Sequence, residues 1–567
     1  MNLNSTAPNR NNTLGGADQV NTTKRDSTLR ETEDRINDFN RKSDHDVGRF
    51  NNFMQFWLTC LGFAVGYGNI WRFPYLLYNN GGGVFLIPFS VWIIFISFPI
   101  YYLETSYGQL YRRTLHTYFD SIDSRFVGVS FSVVWLVFFM AVYYNGLIAW
   151  SCNFFLLSFQ KQLPWAINDH MDSGSDNSWN ENYFKRDFLN MSENILDINH
   201  YMPWIIASFV IVTVITFITE FRSLGTAQFA VWIFIPSAYI ILFILFIKGL
   251  MLEGRSIGWT YLFKPEWDKI FTFQIWIDAA SQSIFSAGLG IHAVILFASH
   301  KTRGESILSP SVGVPILNFL TSIFASITLF SFIGHESFKT GVPIQDMPID
   351  GLELAFVAYP ALLSTFPFPQ FWSALFFLML VFIGLSTQFA FVDVACTFIQ
   401  GLFFRFNYLH VSKTLLTLVF WIVILIIDIL LIASDAGYHW IKFFDHYVVG
   451  LNLVIWITLQ IIIFAHYLPI EDIEARVESK GEKFPWIYKI MLKYITPVLW
   501  GILAIISMIN EVNNPLDLPP ICRILAFALF LLPNLLWIGF YVLDPWNPNK
   551  WDWQQDNIKI LENELKS

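Results

Sequence analysis

A chain of 567 residues that is 54% apolar and 18% aromatic but only 14% charged, with a mean hydropathy of +0.47, carries too little polar surface to cover a water-soluble globule. It has no GxxxxGKS phosphate loop, no assignable Ser–His–acid arrangement and no soluble stretch to carry one, which argues against an enzyme. The net charge of −9 says little about partners because the charges are segregated along the chain, and nothing indicates nucleic acid or an obligate protein partner.

At about 20 apolar residues per crossing, the chain reads as an all-α membrane protein. Its twelve transmembrane helices fall near 53–78, 84–110, 127–158, 202–220, 227–249, 273–299, 309–334, 371–404, 411–433, 439–466, 485–509 and 521–543. Residues 1–50 form a polar tail, rich in Asn, Thr, Asp and Arg, that cannot bury a core and is expected to be disordered. Residues 51–545 make the membrane domain and 546–567 a short polar C-terminal tail. No cleavable signal peptide is expected, because no apolar run precedes the first span.

Lys and Arg crowd the N-terminal tail (Arg10, Lys24, Arg25, Arg30, Arg35, Arg41, Lys42, Arg49) and recur in alternate loops, at Arg112, Arg113, Arg125, Arg222, Lys301, Arg303, Arg405, Lys413, Arg476, Lys480 and Lys483. The positive-inside bias therefore places both termini in the cytoplasm. The acid-rich loop 159–201 falls outside and carries an acceptor sequon at Asn190, whereas those at Asn4, Asn11 and Asn21 lie in the cytoplasmic tail. A second external loop, 335–370, is apolar enough to fold back as short helices. The cysteines (Cys60, Cys152, Cys396, Cys522) all sit in or beside spans, so neither a disulfide in the large external loop nor a clustered metal site is expected.

The first span, "FWLTCLGFAVGYGNIWRFPYLLYNNGGG", is long enough to cross a bilayer, yet Gly66, Gly68 and Asn69 interrupt its middle and Arg72 follows. Hydrocarbon penalises unpaired backbone groups, so such a break is tolerated where it lines a cavity. Intramembrane polar groups at a break mark a pathway or site. The sixth span, "WIDAASQSIFSAGLGIHAVILFASH", is interrupted in the same way at Gly288-Leu289-Gly290. Two broken helices at corresponding positions suggest two five-helix halves with a binding site between them near the midplane, a known pointer to transporters.

The motifs "AVGYGNIWRFPY", "NGGGVFLIP", "YLETSYGQ", "WIDAASQSIFS" and "SDAGYHWIKFFDHY" resemble the neurotransmitter:sodium symporters (solute carrier family six) in order and spacing over roughly residues 50–545. The resemblance implies two inverted five-helix repeats with broken first and sixth helices, plus two further helices. It implies sodium-coupled symport of a neutral amino acid across the plasma membrane by alternating access. A carrier of GABA, taurine or betaine-like solutes remains open at this stage, as does a non-transporting nutrient receptor.

By resemblance, sodium site 1 would take Ala64, Asn69, Ser286 and Asn318, and sodium site 2 Gly62, Val65, Ile383, Ser386 and Thr387. Chloride would take Gln282, Ser286, Asn318 and Ser322. It is expected to bind weakly, since the family's tyrosine ligand is Phe89 here and a phenyl ring cannot donate a hydrogen bond. The substrate positions are Gly66, Tyr67, Gly68, Met140, Tyr144, Phe285, Gly288, Ile291 and Phe391. Monoamine carriers have an aspartate at the place of Gly66, so this chain should take a substrate that brings its own carboxylate to Tyr144 and to sodium.

Arg72 and Asp445 match the external gate pair, with Phe285 as an aromatic lid. The inner latch departs from the family: its tyrosine falls at His300, its aspartate at Gly401 and its arginine at Val47, two residues from Arg49. Glu104, Asp278 and Asp393 match acidic family positions. His292 is either a pocket group or a buried histidine with a partner, and Asp428 has no assigned role.

Overall fold

The computed structural model describes residue 50 and residues 53–545, apart from 112–114, 167–182, 221–223, 302–303, 348–350, 406–410, 469, 514–515 and 517. The N-terminal tail, with Val47, Arg49 and the sequons at Asn4, Asn11 and Asn21, lies outside the described residues, as does the tail from 546. Helices make up the fold, and the one β contact among the described residues is an isolated bridge between Tyr201 and Ser434.

In chain order the first span is α1 (Phe53–Ala64) and α2 (Phe73–Asn79), the latter entered through a wide helical turn at Gly68–Arg72. There follow α3 (Gly82–Tyr111), α4 (Ser124–Leu157), α5 (Pro203–Glu220) and α6 (Ala230–Leu250). The sixth span is α7 (Phe273–Ala287) and α8 (Ala293–Ser299). The remainder are α9 (Leu308–Thr340), α10 (Pro369–Phe403), α11 (Lys413–Ile432), α12 (Gly437–His466), α13 (Trp486–Asn513) and α14 (Pro520–Leu543).

Ten helices among the described residues are long and apolar enough to cross a membrane. The first and sixth spans fall outside that set because their breaks leave halves too short to cross alone. Of the apolar window in each helix, 83% is buried in α10 and 72% in α4, but only 33% in α11 and 22% in α14. So α4 and α10, which pack on one another, form the centre. The peripheral helices turn Ile218, Ile240, Phe243, Ile426, Ile505 and Phe527 outward. A helix apolar on all sides and exposed on one suits hydrocarbon as its solvent.

The loop that follows α9 contains a helical segment, Gly351–Ser364, as its composition suggested. Its Phe356 packs against Trp71 and Trp150, at ring-centre distances of 6.3 and 5.7 Å. Asn190 is exposed in the loop between α4 and α5, with a left-handed φ of 48°. The four cysteines are buried free thiols.

Candidate substrate and ion site

The first break is short. α1 stops at Ala64, and the Gly66 N–H donates to the Ala64 carbonyl (3.2 Å) and to Asn69 Oδ1 (3.0 Å). The Tyr67 N–H donates to the Tyr144 hydroxyl at 3.2 Å. Asn69 Nδ2 reaches Asn318 Oδ1 and Ser322 Oγ, both at 2.7 Å, and Asn318 Nδ2 donates to Ser286 Oγ at 2.8 Å. Gln282 Nε2 donates at 3.0 Å to the carbonyl of Gly68, which also accepts from the Phe73 N–H. Asn69 and Tyr144 thus meet N–H groups that the broken helix leaves without a regular partner, which hydrocarbon requires.

The second break is longer. Gly288, Gly290 and His292 alternate in the left-handed region, at φ 64°, 77° and 63°. Glycine adopts this freely, but a histidine is held there at a cost. The turn is fastened from outside. The Gly290 N–H donates to Glu104 Oε1 (3.1 Å), the Gly290 carbonyl accepts from Gln460 Nε2 (2.8 Å), and Gln460 Oε1 meets His292 Nε2 (3.1 Å).

Between the two breaks lies a pocket with about 330 Å³ of atom-free space, its mouth included, at the small end for a single small ligand. Gly66, Gly68, Asn69, Tyr144, Ser286 and Thr387 supply its polar side, while Phe63, Met140, Phe285, Ile291 and Phe391 supply its apolar side. No charged side chain is among its lining residues. A Cβ at Gly66 would stand 2.7 Å from the Tyr144 hydroxyl and 3.2 Å from Thr387 Oγ1, so glycine keeps that hydroxyl clear.

The residues read as site 1 are drawn together: Asn69, Ser286 and Asn318 share one hydrogen-bonded cluster, with the Ala64 carbonyl at its edge. Of site 2, Ser386 Oγ bonds the carbonyls of Gly62 and Ile383, both at 2.8 Å, bridging α10 to α1. Both sets offer neutral, hard oxygens, a donor chemistry that fits an alkali cation. Val65 faces an apolar cavity with Ile235, Tyr239 and Ile383. Thr387 bonds the Ile383 carbonyl at 3.2 Å and also lines the pocket, a second position for which the sequence reading did not allow.

Two placements differ from the sequence reading. Tyr67 is not one of them: its ring stacks on Trp71 and Tyr144, at 4.6 and 4.8 Å, and its backbone N–H, the donor that the resemblance implies, meets the Tyr144 hydroxyl. Phe63 lines the pocket, because the left-handed Gly288 has no Cβ and the Phe63 ring fills that space. Arg72 and Asp445 are not within ion-pair distance of each other. The guanidinium lies 4.8 Å from the Phe285 ring centre and bonds Ser281 Oγ at 3.3 Å, and the Tyr143 hydroxyl stands within electrostatic reach of both charges.

The anion set (Gln282, Ser286, Asn318, Ser322) belongs to the same network around Asn69 and Gly68. Phe89 contributes no donor, and its ring packs 4.9 Å from Phe73 and 5.4 Å from Phe319. His292 is a buried histidine with a partner rather than a pocket group. Gln460, its partner, escaped the sequence reading, although a lone glutamine in "WITLQIIIF" is a readable intramembrane polar signal. Asp428 accepts from Asn145 Nδ2 at 2.6 Å, joining α11 to α4. Asp278 bonds Asn80 and Gln274, and Asp393 pairs with Lys413, so both are structural ties.

Apolar crossing helices, two of them broken around one uncharged pocket, define a multi-pass membrane transporter rather than an enzyme. The chain matches the sodium:neurotransmitter symporter family over residues 47–543 and belongs to it. It is 30% identical to the sodium- and chloride-dependent glycine transporter 1 of Xenopus laevis, over 82% of this chain and 78% of that protein. Similarity extends to the human sodium- and chloride-dependent neutral and basic amino acid transporter B(0+), 28% identical over 82% of this chain and 80% of that one. The creatine transporter of Torpedo marmorata is 31% identical over 71% of this chain and 69% of its own length.

Proposed function

We propose that the chain is a plasma-membrane symporter that uses sodium to drive uptake of a neutral amino acid by alternating access, with twelve crossings and both termini cytoplasmic. The observation that carries this reading is a pocket with no charged lining residue, polar on one side and apolar on the other. A buried carboxylate needs a compensating charge. A substrate zwitterion entering here would find that charge in a sodium ion beside Asn69, Ser286, Asn318 and the Ala64 carbonyl. Tyr144 and the backbone of the first break would orient the same carboxylate. The second ion, between Gly62, Val65, Ile383, Ser386 and Thr387, would fasten α1 to α10.

The relatives' names support dependence on both sodium and chloride, and the absence of a donor at Phe89 favours loose, modulatory chloride binding. The apolar wall of Phe63, Met140, Phe285, Ile291 and Phe391 favours an uncharged, apolar or aromatic side chain. Two sodium ions with one zwitterion carry two charges, which makes about 4.6 kcal/mol available per 100 mV. Radiolabelled uptake with sodium replaced by choline tests the reading. Sodium-dependent accumulation, with the best competitor a neutral amino acid, is the expected result; equal uptake in choline would end it.

A further inference from the structure

Just past the end of α8 the chain buries a lysine. Lys301 is 0% exposed, and its ammonium lies 4.9 Å from the ring centre of Phe56 and 5.7 Å from that of Phe53, both on α1. Its Nζ donates to the Ser306 carbonyl. That carbonyl belongs to a stiff loop. Glu482 accepts from Ser306 Oγ and from the Ile307 and Leu308 N–H groups, each at 2.8 Å, capping the start of α9. On the α1 side, the Phe50 N–H donates to the His300 carbonyl at 3.2 Å, and the Phe50 ring meets Phe56 at 5.8 Å.

Burial pushes the Lys301 ammonium down to about 8, so it keeps its charge at neutral pH. A desolvated cation over aromatic faces is held more tightly than an exposed one. Nearer the pocket, Phe63 of α1 closes edge-on against Phe297 of α8 at 6.0 Å. The seam between α1 and α8 is thus shut twice, once by aromatic contact under the pocket and once by the lysine clasp.

We propose that Lys301, held between the Phe53 and Phe56 rings and the Ser306 carbonyl, is the inner latch of this transporter and must release α1 before the pocket can open to the cytoplasm. It takes over the work left undone where the family's tyrosine and aspartate are replaced by His300 and Gly401. The step rests on the alternating-access reading above. It is a positioning role, because Lys301 touches neither substrate nor ion.

Cys60 is a built-in reporter, buried on α1 one turn past Phe56. In inside-out vesicles of the full-length protein, in sodium-free potassium buffer, modification by an impermeant maleimide is followed for each cysteine by mass spectrometry. Lys301→Met is expected to speed Cys60 modification by roughly tenfold, equivalent to about 1.4 kcal/mol. Lys301→Arg should stay near the wild-type rate, and Phe56→Leu should accelerate labelling, with the double variant adding little. Cys60 labelling at the wild-type rate in Lys301→Met overturns the latch, and so does equal acceleration by Arg and Met. Where Lys301→Met fails to reach the membrane, Phe56→Leu decides alone, and no acceleration there overturns the proposal. The assay needs no uptake. Labelling as expected without accumulation would refute the transport reading alone, while normal uptake with unchanged labelling would refute the latch alone.

Discussion

The two helix breaks meet the same physical demand in opposite ways. At the first, the bonds that the broken helix forgoes are recovered by Asn69 and Tyr144, which also line the pocket. At the second, Glu104 and Gln460 fasten the turn from the surrounding helices, and neither lines the pocket. The first break is therefore repaired by groups that also face the pocket, whereas the second, whose Gly288 and Ile291 line the same pocket, is tied by groups that stand outside it. A ligand can replace some of the bonds at the first.

That contrast breaks most easily at Asn69. Asn69→Ala removes one hydrogen-bond partner each from the Gly66 N–H, Asn318 and Ser322, at about 0.5–1.5 kcal/mol per bond. Uptake should become undetectable while protein remains at the cell surface; retention of more than a tenth of wild-type uptake would show that the break does not depend on this side chain.

Gly288→Ala comes next. Its Cβ would sit 2.1 Å from the Phe63 ring, on a backbone at φ 64° that costs an ordinary residue about 1–2 kcal/mol. Surface expression should fall several-fold, as measured by biotinylation. Gly66→Ala, which meets only the ends of Tyr144 and Thr387 on an ordinary backbone, should instead reach the surface and raise the KM for substrate. Equal expression of the two variants would erase the distinction between the two breaks.

A smaller effect is expected from Gln460→Leu, which leaves the Gly290 carbonyl and His292 without their partner, at a cost of about 1–3 kcal/mol each. The half-life of the detergent-solubilised protein at elevated temperature should shorten, with the sodium concentration for half-maximal uptake unchanged. A shift in that sodium value would place the second break in the ion site after all.

The mildest expectation concerns the anion. Phe89→Tyr restores one donor beside the cluster at Phe73 and Phe319, and chloride titration against gluconate should show a few-fold lower half-saturation. Ser322→Glu, by supplying a fixed carboxylate, should make uptake indifferent to chloride. Unchanged chloride curves in both variants would mean that no functional anion site exists there.

Much of the site is legible in the amino-acid order. Gly66, Asn69, Gly288 and Gly290 announce themselves as breakers inside apolar spans, and Ser286, Asn318, Ser386 and Thr387 as hydroxyl and amide groups in the membrane. Phe63 is not legible, because a phenylalanine in an apolar helix carries no signal until Gly288 is seen to leave it room. Nor could matching positions reveal that Arg72 lies over Phe285 instead of pairing with Asp445, since a guanidinium finds a ring face and a carboxylate equally acceptable.

The sequence by itself determined that the chain lives in a membrane, that it is helical, and where two of its helices must break. Those properties follow from local quantities: apolar length against bilayer thickness, and the missing Cβ of glycine. Only the tertiary structure decided which groups repair the breaks. Gln460 lies 168 residues from His292, and Asn318 lies 249 from Asn69. The same holds for Lys301, whose burial against Phe53 and Phe56 turns an ordinary loop cation into a clasp. Hydrocarbon offers no water to satisfy a freed backbone group or a buried charge, so each must find a partner on another helix. No period or composition of the chain encodes which helix that will be.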